Sequence, residues 1–103
     1  MQGYLITFYT VNNRLVEGAP IVDWLLTLVD ELKLTGATVN GSLMGRDASP
    51  VVHRLTIFDD QDQPVQIRMV LTGEEADRVL NYIARQNVSI FYTKGEVEFG
   101  VTV

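Results

Sequence analysis

Apolar and polar residues change rhythm several times along this chain, and each rhythm predicts an element. Residues 2–10 set Leu5 and Tyr9 on one side of a period of two, and Tyr4, Ile6 and Phe8 on the other. Apolar residues on both sides, rich in aromatic and β-branched types, predict a strand covered on both faces. The polar stretch NNRLVEGA reads as a loop, and Pro20 suits the first position of a helix. Across 21–34, Ile21, Leu25, Leu28 and Leu32 keep helical spacing opposite a wet stripe of Asp23, Thr27, Asp30 and Glu31. Gly36 is the expected stop.

Residues 37–44 and 51–58 read as the next strands, and DDQDQP as a turn. Residues 64–72 alternate cleanly, with Val65, Ile67, Met69 and Leu71 against Gln66, Arg68 and Thr72. Thr72 and Glu75 stand at capping-box spacing before a helix that buries Ala76, Val79, Leu80 and Ile83. Residues 88–92 and 97–101 are short strand-like pieces around TKGE. Two β-α-β units in this order predict a single α+β domain over 1–103, a ferredoxin-like β-α-β-β-α-β sandwich. A hairpin or loop is inserted between the second and third core strands. Both helices should share one face of the sheet, leaving the other face open with Tyr4, Ile6 and Phe8 or their alternates on it. Soluble monomers rarely leave such a patch uncovered, so an obligate homo-oligomer is expected.

Composition narrows the partners. At 47% hydrophobic and 20% charged residues, the chain is a folded globular one. Acidic residues outnumber basic ones 13 to 8, for a net charge of -5. Lys33 and Lys94 are the only lysines, so no basic patch suits nucleic acid or anionic lipid. Without cysteine there is no disulfide framework, thiolate metal site or thiol nucleophile. No apolar run approaches a membrane span and the first residues do not resemble a signal peptide, so a cytoplasmic protein is expected.

Candidate chemistry is sparse, and each candidate has a plain alternative. Gly41 and Gly45 let backbone approach a ligand, or mark a bend in a strand. Arg46 opens the insertion and is the best-placed cation for an anionic effector; otherwise it is a solvated loop residue. His53, the only histidine, alternates with Leu55 and Ile57 as a core histidine would, but its titration near neutrality also suits a proton sensor or a ligand contact. Lys94 and Gly95 sit where the last strand is interrupted, either touching a ligand across a cleft or forming a turn. Asp59, Asp60 and Asp62 lack the glycine and glutamate of an EF-hand loop, and no metal site is assigned. Ser42 and Ser49 have no base at a useful spacing, so no catalytic residue is assigned and an enzyme is not expected.

Several stretches resemble a known family. GATVNGSLMGR is similar to the part of the PII signalling proteins where a glycine-arginine pair opens a long loop. PVQIRMVLTGEEADRVLNYI resembles their next strand and second helix, and VSIFYTKGEVE their last strand. The opening GYLITFYT, the GATV strand, a histidine placed like His53 and a Pro64-Val65 pair resemble the PII-like branch called domain-of-unknown-function family 190. The resemblance implies a ferredoxin-like homotrimer with its sheets facing inward. It also implies that small effectors, often adenine nucleotides, bind in three clefts between subunits, and Gly41, Gly45, Arg46, His53, Lys94 and Gly95 are the candidate ligand-binding residues for such a cleft. Residues 45–64 would then signal occupancy to a membrane transporter or an enzyme.

One difference keeps a second reading open. Where PII proteins wrap phosphates with a loop rich in glycine and lysine, this chain reads RQNVSIF, with no glycine and only Arg85. That scarcity favours a CutA-like trimer of similar fold, structural or metal-associated, with no nucleotide switch.

Overall fold

The structure is a computed structural model and describes residues 1–34, 38–43 and 64–103. Strand β1 (Gln2–Val11) leads into a hairpin of two short strands, β2 (Leu15–Val16) and β3 (Ala19–Pro20), which feeds helix α1 (Ile21–Glu31). Strands β4 (Thr38–Leu43) and β5 (Pro64–Leu71), helix α2 (Gly73–Arg85) and strand β6 (Phe91–Glu98) complete the order. The four long strands form one antiparallel sheet in the order β4-β5-β1-β6, and both helices pack on one face of it. This is the ferredoxin-like α+β architecture expected from the order of elements. The anticipated strand at 51–58 and the DDQDQP turn lie outside the described residues.

The core forms where two helical stripes meet one side of the sheet. Val65, Ile67, Met69 and Leu71 of β5 alternate inward with Ile6 and Phe8 of β1, beneath Ile21, Leu25 and Leu28 of α1 and Ala76, Val79 and Ile83 of α2. Burying each side chain of this size contributes about 1.5–3 kcal/mol before the entropy of ordering it is charged. Trp24 is a core residue, 8% exposed with its ring 6.3 Å from that of Tyr82. The Tyr82 hydroxyl donates to Glu31 Oε2 at 3.1 Å, and Arg78 Nη1 donates to the Leu32 carbonyl at 2.6 Å. These bonds tie the end of α1 to α2. At Gly3 the chains pack so closely that a Cβ would collide with the Leu71 carbonyl and the Phe99 ring.

Several expectations need correction. Residues 2–10 looked covered on both faces, yet only the Ile6 and Phe8 side lies under helices. The open face therefore carries the alternates, Leu5, Thr7 and Tyr9. NNRLVEGA is not all loop, because Glu17 and Gly18 both take positive φ (53° and 82°), the pair a tight two-residue hairpin requires. Pro20 is the residue before the helix, not its first. Helix α1 stops before Gly36: Lys33 takes φ 52°, its N–H reaches the Asp30 carbonyl, and the Leu34 N–H reaches that of Val29. That is a Schellman closure made without glycine. Asn87, with φ 60°, closes α2 in the same way. The Thr72–Glu75 capping box forms as expected, with both reciprocal bonds present.

Strand β6 is the other correction. It runs unbroken through TKGE, and residues 88–90 and 99–103 are not strand. Gly95 pairs directly with Leu5, so the ladder with β1 overrides the local break suggested by a glycine.

Candidate functional site

Strand β6 is an edge strand, exposed along almost its whole length, and both of its faces carry aromatic pairs with β1. Tyr9 and Phe91 meet at 5.6 Å on the open face of the sheet, and Phe8 and Tyr92 at 6.3 Å on the helix face. On the open face the Tyr9 hydroxyl also lies 3.3 Å from Thr93 Oγ1. Between the C-terminal half of α2 and the start of β6 is a cleft of about 280 Å³. Phe8, Leu80, Ile83, Val88, Ile90 and Tyr92 give it an apolar lining. The segment 88–90 thus packs side chains where a phosphate-wrapping loop would offer backbone N–H groups and cations.

The expected ligand-binding residues fall in three places. Lys94 stands opposite Ile6 on the helix side of β6, and its Nζ lies 4.4 Å from the centre of the Tyr4 ring, a cation–π contact. Gly95, next along the strand, faces the other way, with nothing within 4 Å of the place a Cβ would occupy. The expected interruption at these two residues is absent. Gly41 pairs with Ile67 in β4, the opposite edge strand. With β5 and β1 between them, the two edges stand about 14 Å apart at the usual strand spacing. One subunit therefore does not bring Gly41 together with Lys94 and Gly95. Gly45, Arg46 and His53 lie outside the described residues.

Residues 3–98 match the DUF190 family, described as Uncharacterized ACR. The chain belongs to the DUF190 family. Two solved structures share the fold of this DUF190 chain. One is from Thermus thermophilus, described as a PII-like signaling protein, at 14% identity over 94% of this chain and 87% of that chain, with a TM-score of 0.57. The other is CPII from Thiomonas intermedia, bound to ADP, AMP and acetate, at 14% identity over 97% of this chain and 90% of that chain, with a TM-score of 0.59. At such identity the likeness is one of fold, and that fold is PII-like. No curated protein matches the chain.

Other features of the DUF190 chain were not singled out in the sequence. Cleft residues Phe8, Val88, Ile90 and Tyr92 are scattered along the chain, and only the pairing of β1 with β6 gathers them. Arg68 on the open face was visible as a polar position of an alternating strand, but not as a charge at the centre of a sheet. Among the described residues no helix is long and apolar enough to cross a membrane, and no three His, Cys, Asp or Glu residues cluster as metal ligands would.

Proposed function

We propose that this chain is a PII-like regulatory protein rather than an enzyme. In this reading it is a cytoplasmic homotrimer that binds a small effector between subunits, and residues 45–64 report occupancy to a transporter or enzyme. An adenine nucleotide is the first effector to test. The observation that carries the reading is the separation of the expected ligand residues onto the two edges of one sheet. Gly41 on β4 and Lys94–Gly95 on β6 can meet only where the β4 edge of one copy approaches the β6 edge of another. The open sheet face supports the association: Phe91 is 71% exposed there, beside half-buried Leu5, Tyr9 and Val70. The similar CPII structure holds adenine nucleotides on the same fold.

The CutA-like reading keeps one specific support. Val88 and Ile90 turn into the core where phosphate donors would be needed, which leaves Lys94 and Arg85 as the nearby described cations. Light scattering and a thermal-shift series separate the two readings. The regulatory reading expects three times the 11.5 kDa chain mass and a higher melting midpoint with one of ATP, ADP, AMP or cyclic AMP. A ligand at a hundredfold excess over its dissociation constant adds roughly 2.7 kcal/mol, several degrees for a domain of this size. Arg46→Ala and Lys94→Ala should reduce that shift. A trimer that responds to no nucleotide would overturn the effector reading and leave the CutA-like one; a monomer would overturn both.

A further inference from the structure

The open face of the sheet carries a second feature, independent of the edges. Its positions follow from the pairing: Gly3, Leu5, Thr7, Tyr9 and Val11 on β1, Pro64, Gln66, Arg68 and Val70 on β5, and Phe91, Thr93, Gly95 and Val97 on β6. Thr38, Asn40 and Ser42 hold the matching register positions on β4. Among these described positions Arg68 is the only charge, and no Asp or Glu shares the face. Glu96 and Glu98 of β6 pair with Tyr4 and Gln2 and so belong to the other side.

Arg68 is also central. It lies mid-way along β5, one of the two inner strands, in a transverse row with Asn40, Thr7 and Thr93. The row on one side holds Leu5, Val70 and Gly95, and the row on the other holds Gln66, Tyr9 and Phe91. The guanidinium has one described partner: Nη2 donates to Gln66 Oε1 at 2.8 Å. A guanidinium carries five N–H donors in a planar fork, so most of its donors have no partner among the described residues.

We propose that three copies of Arg68, brought together by the inward-facing sheets, hold a small oxyanion of the phosphate or sulfate type at the centre of the assembly. The inference rests on the trimer reading and goes beyond the effector clefts, which it leaves at the sheet edges. Sheets that face a three-fold axis present their centres to it, and here each centre carries one cation with no acidic residue among the described positions of the face. Several guanidiniums taken out of water without a counter-charge repel one another and lose hydration, a cost that a shared anion removes. Guanidinium forks match the pairs of oxygens on such an anion, and the neighbouring exposed Thr93 hydroxyl supplies a further donor. The anion would be structural, and it would link the stability of the assembly to oxyanion concentration.

The test is thermal denaturation of the full chain, first dialysed into chloride buffer and then titrated with sulfate or phosphate at matched ionic strength. Light scattering follows the mass in parallel. The wild-type midpoint should rise and saturate with either oxyanion, by several degrees more than that of Arg68→Gln. The variant should remain a trimer, because the replacement removes the charge from the centre of the face and keeps a polar side chain there. It also controls for the general stabilisation that these salts give any protein. Arg68→Met repeats the comparison without a hydrogen-bonding side chain. Equal responses in wild type and both variants, with the trimer intact, would overturn the anion site alone. Loss of the trimer in both variants whatever the anion would overturn it in favour of a carboxylate partner on the neighbouring copy. A wild-type monomer would overturn it together with the trimer reading.

Discussion

The two faces of the sheet start from similar material and end differently. On the helix face, Ile6, Phe8, Ile67, Met69 and Leu71 are essentially buried within one subunit. On the open face, Leu5, Val70, Tyr9 and Phe91 are comparably apolar but remain half-buried or exposed, with a charged and hydroxylated row across the middle. Thr7, on the same face, is only 6% exposed. Hydrophobicity along a strand reports that a face will be covered. It does not report whether the cover is the chain's own helix or another copy.

The sharpest way to break this comparison is to damage one face at a time. Ile67→Ala removes a fully buried side chain from the helix face and should cost about 2–5 kcal/mol, read by denaturant unfolding at fixed protein concentration. An effect below about 1 kcal/mol would mean that this side is not the core. Leu5→Glu places a charge at a half-buried position of the open face, outside the helix-covered core. In the proposed trimer, mass by light scattering should then fall to that of a single chain, while the helical circular dichroism persists. If the signal collapses with the mass, the open face belongs to the folding core after all. The smallest expected effect lies away from the sheet, at the clasp between the helices. The hydrogen bond to Glu31, with burial and the nearby charge of Glu31, raises the Tyr82 pKa above its ordinary 10.0. The folded chain thus holds this proton more tightly than the unfolded one. The stabilisation is complete at pH below 10.0 and is lost as pH rises through the raised value. Unfolding midpoints should fall more steeply in alkali for wild type than for Tyr82→Phe, and parallel curves would remove the clasp from the account.

How legible the molecule was in its sequence depended on how local each cause is. The alternation of β5 and the capping box of α2 are properties of a few consecutive residues, and both formed as read. The end of α1 was misplaced because the stop is a pair of backbone hydrogen bonds around Lys33, a residue with no marked preference for the left-handed region. Strand β6 was read as two pieces because Gly95 looks like a break, whereas the long ladder with β1 decides the matter. The candidate site was less legible still. Lys94 and Gly95 are sequence neighbours, yet the pleat turns them to opposite sides. The apolar cleft joins Phe8 to residues near the other end of the chain, which no local pattern announces. The PII-like resemblance was readable because it rests on the order of several weak motifs along the whole chain.

The placement of Gly41 and Lys94 on opposite edges of one sheet has a genetic consequence. In the proposed trimer every cleft is assembled from two different copies, each lending one edge. Two alleles, one damaged at the β4 edge and the other at the β6 edge, would then complement when expressed together, because a mixed ring regains an undamaged cleft. Two alleles damaged at the same edge would not. Such a site is inherited as two separable halves, and its dominance relations follow from the order of the strands.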